Sequence, residues 1–217
     1  MIAEDVFGRY FSRGSYLVPE ELRDQPLLEA MYRNAVMNHI FLRRTPRVDD
    51  VRSYYLRTGS LLRTAARFDV PPYLLCKLLG LPQREKDLAA RWDDFTSPEA
   101  HERAARGARR FERALGRKLR RCTDEPLRSE PDLREEGAAL TPDFLVGGRV
   151  WVEAKNFYGG SNAFTRHVVG KQVKKYAAMW GPGHVVFRWG ADPALQFPGR
   201  ATVHGFETLD CGRLGKK

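Results

Sequence analysis

The residues best suited to chemistry lie between positions 141 and 155. Two short apolar segments there flank a Gly-Gly turn, which predicts a β-hairpin. Asp143 belongs to the first strand, and Glu153 and Lys155 stand two residues apart on the second. Because side chains alternate along a strand, Glu153 and Lys155 share one face. The spacing therefore predicts a carboxylate and an ammonium group side by side on a rigid element.

The length of the loop decides whether Asp143 joins this pair. A two-residue loop of the two glycines would place Asp143 opposite Val152, on the wrong face. A three-residue loop over 146–148 would pair Asp143 with Trp151 and bring it to the face of Glu153. We expect the longer loop, because its last glycine supplies the positive φ that a bulge requires.

Two carboxylates beside a lysine are suited to metal-assisted hydrolysis of a phosphodiester. The carboxylates can hold a hard divalent ion, with Mg²⁺ or Mn²⁺ favoured, while a lysine can orient water or stabilise a charged transition state. The pattern also has an ordinary interpretation. Pro-Asp commonly starts a strand, and Glu-x-Lys is a common solvated strand face, so the flanking elements must decide.

Two helices are expected to cover the hairpin. A long helix beginning near Ser97 carries Glu112 at the edge of its apolar face, and a later helix over 170–180 places Gln172 and Tyr176 one turn apart. The apolar face of the long helix is expected to contain Ala104, Ala108, Phe111, Leu115 and Leu119.

This order of residues resembles the PD-(D/E)xK nuclease superfamily, whose members have a restriction-endonuclease-like fold. Within it the chain is most similar to the TPD-motif family, which includes the eukaryotic codanin-interacting nuclease and archaeal relatives that are similar to Holliday junction resolvases. The resemblance covers essentially the whole chain and is strongest from about Gly107 to Trp189. Its motifs are Glu130 to Arg134, Gly137, Thr141 to Phe144, Trp151 to Lys155, Gln172, Tyr176, Trp180 to Gly183, and Trp189 with Gly190.

The resemblance implies a role for each site residue. Asp143, Glu153 and the Ala154 carbonyl would bind the metal, and Lys155 would be catalytic. The remaining members of the site would be Glu112, Gln172 and Tyr176. Relative to the eukaryotic members, the hairpin is short and residues 191–205 look like an insertion before the last strand.

The positive charge is unevenly distributed along the chain. Residues 1–95 contain 15 Lys and Arg against 13 Asp and Glu, whereas residues 96–217 contain 22 against 14. Such runs are often only a solvated face, and some arginines should pair with Glu99 or Glu102. The excess on the long helix nevertheless favours a phosphate-binding surface. The residues expected to bind nucleic acid are Arg106, Arg109, Arg110, Arg113, Arg117, Lys171, Lys174 and Lys175.

The N-terminal part has helix-turn-helix spacing: two short helices over 60–68 and 73–80, separated by a proline-containing break. Such pairs also occur in many α-helical domains that bind no DNA. If the segment binds DNA, we expect Ser53, Arg63 and Arg67 to contact phosphates.

The predicted fold is an α/β restriction-endonuclease-like core, a mixed central sheet flanked by helices, over residues 96–217, with an α-helical, helix-turn-helix-like domain over residues 1–95. The expected function is a metal-dependent endonuclease acting on structured or branched DNA, with DNA favoured over RNA. Two alternatives stay open, a catalytically silent nucleic-acid-binding adaptor and an RNA-directed nuclease. A homodimer is plausible, because cutting both strands symmetrically needs two sites.

The remaining expectations concern the cellular context. The sequence contains no apolar run long enough for a membrane span and no signal-peptide pattern at its start, so a cytoplasmic protein without a membrane partner is expected. Cys76, Cys122 and Cys211 show no paired spacing and are expected to be reduced structural thiols.

Overall fold

The computed structural model describes residues 3–199 and 201–210. Its contacts divide the chain into two compact units, Met1–Ala105 and Arg106–Lys217. The long helix α8 runs through this division. The helices that precede it are α1 (Ala3–Tyr10), α2 (Glu20–Arg23), α3 (Pro26–Leu42), α4 (Val48–Thr58), α5 (Leu61–Phe68), α6 (Pro72–Leu79) and α7 (Gln83–Ala90). Then follow α8 (Pro98–Cys122), β1 (Leu127–Ser129), α9 (Glu130–Glu135), β2 (Phe144–Val146), β3 (Val150–Lys155), α10 (Ala163–Trp180), β4 (Gly183–Phe187) and β5 (Ala201–Gly205).

Both short helices predicted for the N-terminal part form, as α5 and α6. The Ser60 side chain caps α5 by accepting a hydrogen bond from the Arg63 amide, and Asp69 ends the helix with a positive φ of 52°. Helix α6 ends at Gly80 in the left-handed conformation. Apolar side chains from α4, α5 and α6 share one core, so the three helices form a packed group.

The second unit is built on a five-stranded mixed sheet in the order β1-β2-β3-β4-β5. The pairs β1–β2 and β2–β3 are antiparallel, whereas β3–β4 and β4–β5 are parallel. The predicted mixed central sheet flanked by helices is therefore confirmed.

Each face of this sheet is covered by one long helix. Phe111, Leu115 and Leu119 of α8 pack with Val152 and Val186 on one face. On the other face, α10 contributes Val169, Val173 and Tyr176, which pack with a set of strand residues, Leu145, Trp151, Val185 and Phe187. Since Trp151, Glu153 and Lys155 alternate with Val152, the charged pair of β3 lies on the α10 side.

The hairpin has a three-residue loop, as expected, but its position is shifted. Val146 pairs with Val150, so the loop is 147–149, and both glycines have positive φ, 56° and 72°. Phe144 pairs with Val152, and continuing this register places Asp143 opposite Glu153 rather than Trp151. The expected pairing was wrong by two residues. The face was right, because a shift of two residues preserves the side-chain alternation.

Three further expectations were wrong. Residues 201–205 belong to strand β5 and are not part of an insertion before the last strand. Ala104 is exposed and does not belong to the buried face of α8. Cys76 is a free buried thiol, but Cys122 is disulfide-bonded, so it is not the expected reduced thiol. Cys211 lies outside the described residues. Within these residues, no helix combines the length and apolarity needed to cross a membrane.

Candidate active site

Asp143 lies at the start of β2 and is held by two backbone contacts. Its carbonyl oxygen accepts a hydrogen bond from the Glu130 amide at 3.1 Å, and its Oδ2 accepts one from the Ala154 amide at 2.7 Å. The first contact fixes the backbone against α9, and the second ties the carboxylate to the neighbouring strand. The side chain is therefore oriented toward the end of β3.

Glu153 and Lys155 form an enclosed ion pair on the α10 side of β3. Lys155 Nζ donates to Glu153 Oε1 at 2.6 Å and to Gln172 Oε1 at 2.8 Å. Glu153 is only 4% exposed. Its second oxygen, Oε2, has no hydrogen-bond partner in the described part of the chain. A buried carboxylate oxygen without a donor is costly, so this atom favours a cation, or a proton shared with Asp143, beside it.

Helix α10 supplies the other two predicted members of this side. Gln172 holds the lysine, and the hydroxyl of Tyr176, one turn later, donates to the Thr141 carbonyl oxygen at 3.3 Å. Burial, followed by the negative charges of Glu153 and Asp143, raises the pKa of Tyr176. The phenol therefore stays neutral and braces the backbone beside Asp143.

Two further carboxylates lie within electrostatic range. Burial, followed by the charges of Glu130 and Glu153, raises the pKa of Glu112 on α8. Glu130 is the first residue of α9, and its Oε1 receives bonds from Arg134 and, at 3.5 Å, from the Thr141 hydroxyl. Sequence reasoning gave Glu130 no role. The sequence did contain a signal for Glu130, namely the Ser129-Glu130-Pro131 segment, which is typical of a helix start. This helix start places the acid next to the Thr-Pro-Asp segment in space.

The carboxylates of Asp143 and Glu153 repel each other in a buried place. Burial, and next the Glu153 carboxylate, raise the pKa of Asp143 to about 8, although the Ala154 amide lowers it in part. Two carboxylates that face each other in a poorly solvated place favour a proton or a cation between them.

The donor set fits the expected divalent ion, whose remaining coordination positions would be left to other ligands. Asp143 and Glu153 supply carboxylate oxygens. Continuing the hairpin register pairs Ala154 with Pro142, which has no N–H to give, so the ladder offers the Ala154 carbonyl no donor. Because the amide and carbonyl of one strand residue point the same way, this carbonyl faces the side of Asp143. Among the described residues, no group of three or more His, Cys, Asp and Glu side chains is arranged to hold a metal ion unaided.

The predicted nucleic-acid-binding residues are all exposed. They lie on α8 and α10, the two helices that cover the sheet. Two other cations of α8 have different roles: Arg103 pairs with Asp94 at 2.8 Å, and Lys118 binds the Phe206 carbonyl and ring. In the N-terminal unit, three side chains predicted to contact phosphates are exposed on α4 and α5, namely Ser53, Arg63 and Arg67.

The structure therefore brings Asp143, Glu153, Lys155, Gln172 and Tyr176 together, while their chemical roles stay predictions. No curated protein and no solved structure matches the chain significantly. A family model matches residues 82–203, more than half of the chain, and spans every element from α7 to β4 together with the start of β5. The chain belongs to the TPD sequence-motif family, a family of proteins of unknown function.

Proposed function

We propose that the chain is a divalent-metal-dependent nuclease that hydrolyses phosphodiester bonds in structured or branched DNA. One observation carries the proposal. Glu153 keeps one buried oxygen without a donor beside Asp143, while its other oxygen holds Lys155. A divalent-cation site needs an anionic oxygen without a protein donor close to a second carboxylate, and Glu153 and Asp143 together provide this combination.

The protein groups have separable tasks. Asp143, Glu153 and the Ala154 carbonyl would hold Mg²⁺ or Mn²⁺, and the bound ion would acidify water and neutralise phosphate charge. Lys155 places a positive charge beside these ligands, where it can stabilise the pentacovalent phosphate.

Three further side chains support this arrangement. Gln172 fixes the rotamer of the lysine, so the charge is in place before substrate arrives. Tyr176 fixes the Thr141 backbone. Glu112, whose raised pKa allows it to exchange a proton closer to neutral pH, can receive one from the attacking water.

The exposed cations on α8 and α10 support a nucleic acid as substrate, because phosphate contacts dominate such binding. The preference for branched DNA over other nucleic acids rests on the resemblance to the PD-(D/E)xK superfamily and to junction resolvases, as do the restriction-endonuclease-like fold and an archaeal relationship. A cytoplasmic location and a homodimer belong to the same proposal. Helices α5 and α6 would contribute substrate selection through Arg63 and Arg67.

The test compares wild type with Asp143→Asn on labelled single strands, duplexes, flaps, four-way junctions and RNA, with Mg²⁺, Mn²⁺ or chelator. Asp124→Asn, an exposed acid after α8, is the matched control. We expect wild type and the control to cleave in the presence of metal, and Asp143→Asn not to cleave. We also expect Mn²⁺ to raise the melting temperature of wild type but not of Asp143→Asn. Cleavage in chelator, or cleavage unchanged in Asp143→Asn, would refute the proposal.

Two alternatives are decided by the same experiment. A catalytically silent adaptor would bind these nucleic acids without cutting any of them in either metal. An RNA-directed nuclease would cut RNA and spare every DNA form. The presence of Asp143, Glu153 and Lys155 together favours turnover over a silent scaffold, because a scaffold has no chemical need for all three.

A further inference from the structure

Strands β3 and β4 end side by side, and the chain continues from them as Asn156 and Arg188. Both residues follow the alternation of Ala154 and Val186, so they lie on the α8 side of the sheet, opposite the face of Lys155. Arg188 Nη1 donates to Asn156 Oδ1 at 3.0 Å. The carboxyl ends of parallel strands are where ligands of α/β sheets usually bind.

The guanidinium of Arg188 is fixed in place by its surroundings. Its backbone amide donates to the Lys155 carbonyl at 2.9 Å, and its guanidinium carbon lies 4.5 Å from the centre of the Trp189 ring. The loops after the two strands are joined by hydrogen bonds of Gly159 with Gly190 and Asp192, at 3.0 and 2.9 Å. Little conformational freedom therefore remains to be lost when a ligand binds.

Gly107 on α8 makes room for this arrangement. A Cβ at position 107 would lie 2.4 Å from Asn156 Nδ2, which is closer than any real contact. The helix thus approaches Asn156 so closely that only glycine fits without moving the amide that holds Arg188.

Arg188 has no acidic partner among the described residues. Its partners are a neutral amide and an aromatic ring, whereas Arg103, Arg128 and Arg134 each pair with a carboxylate. A partly buried guanidinium with N–H donors beyond the one that binds Asn156 is suited to bidentate binding of phosphate.

We infer that Arg188, positioned by Asn156 and Trp189, binds a phosphate of the nucleic-acid strand that flanks the one to be cleaved. That a phosphate is cleaved at all rests on the proposed function. Arg188 follows β4, whose end pairs with the end of β3 at Lys155, and neighbouring strands lie roughly 4.8 Å apart. A backbone that crosses the ends of both strands therefore passes close to the two side chains, which flank it from opposite faces of the sheet. This subsite would fix the register of the strand in the site and carry no sequence preference.

The test is the salt dependence of binding to a short labelled oligodeoxythymidine in chelator. Arg188→Gln should weaken binding about tenfold and lower the slope of log affinity against log salt by roughly 0.7, the value for one phosphate of a single strand that is no longer neutralised. Gly107→Ala should weaken binding in the same direction, because Asn156 must move. The matched control is Arg149→Gln, at the opposite end of β3, where Arg149 faces Glu125 at 3.7 Å. It should bind like wild type.

The outcomes separate this inference from the proposed function. Binding of Arg188→Gln within twofold of wild type, with an unchanged slope, would overturn the subsite, as would an equal loss in Arg149→Gln. Circular dichroism establishes that each variant is folded. Because binding is measured in chelator, a wild-type protein that never cleaves in Mg²⁺ or Mn²⁺ would refute the nuclease, while a selective loss in Arg188→Gln would still support the subsite.

Discussion

Replacing Lys155 with methionine tests whether the site is arranged for a cation. Methionine keeps most of the apolar stem and removes the charge. Lys155 is 14% exposed at its side chain and bonds Glu153 at 2.6 Å, so its loss would leave a buried carboxylate without the positive charge that now neutralises it. A solvated strand lysine would contribute almost nothing to stability, but this one is expected to matter.

The size of the effect follows from the charge that is left behind. Removing one partner of a buried ion pair typically costs about 3–5 kcal/mol. The unpaired glutamate can avoid this penalty by taking up a proton, so the cost of protonation is the largest destabilisation that the buried charge can cause. For a glutamate of ordinary pKa, roughly 4.3, that cost is about 4 kcal/mol at about pH 7.5 and about 2 kcal/mol at about pH 5.5. Lys155→Met should therefore lose about 3–4 kcal/mol near neutral pH and at most about 2 kcal/mol in mild acid. Glu153→Gln should rescue most of that loss in the double variant.

Urea unfolding of wild type, Lys155→Met, Glu153→Gln and the double variant in chelator measures the coupling directly. Saturating Mn²⁺ should then stabilise Lys155→Met more than wild type, because the ion supplies the missing counter-charge. A Lys155→Met protein within about 0.5 kcal/mol of wild type in chelator, or additive losses in the double variant, would refute the argument that the carboxylate is buried and dependent on a cation.

Two further predictions concern the sheet and the basic surface. Burial, followed by the His204 ring at 2.9 Å, lowers the pKa of His184 to about 4 from its ordinary value of 6.5. As the pH falls below 6.5, His184 is therefore protonated in the unfolded chain but stays neutral in the folded chain, which favours unfolding. Stability at pH 5 should consequently be about 2 kcal/mol lower than at neutral pH, and urea titrations of His184→Gln should lack this component; an equal slope in that variant would contradict the assignment. Neutralising Arg113 and Arg117 together should reduce the slope of log affinity against log salt for duplex binding by about 0.9 for each phosphate that is no longer neutralised. The preference between junction and duplex should stay unchanged. A changed preference would mean that α8 recognises the shape of the DNA.

Much of the second unit could be predicted because its signals are local. Ser97-Pro98 fixes the start of α8, and apolar spacing fixes the faces of α8 and α10. The alternation along β3 places Glu153 with Lys155. Such features depend only on neighbouring residues, and the structure contains each of them.

The elements that were predicted wrongly depend on distant partners. Strand β5 is short and follows a segment that contains two prolines and a glycine, so only its pairing with β4 identifies it. Glu130 lies beside the site because its amide donates to the Asp143 carbonyl across the sheet edge, and no spacing around Cys122 indicates that it is disulfide-bonded. The hairpin register was missed because two successive glycines permit more than one three-residue loop, and packing against the two helices selects between them.

The Thr-Pro-Asp sequence explains why the site lies where it does. Pro142 cannot donate to a ladder, so β2 begins only at Phe144 while β3 continues past it. On the side of β2, the end of β3 has no strand partner, which would leave the Ala154 amide without an acceptor. Asp143 accepts the hydrogen bond of this amide with a side-chain oxygen. The Ala154 carbonyl, facing the same way, keeps its lone pairs. One proline thus ends the pairing, and the following aspartate uses that gap to stand beside Glu153. A residue with an N–H at position 142 would allow the ladder to continue and occupy the carbonyl, so the proline keeps this oxygen available to the proposed metal site.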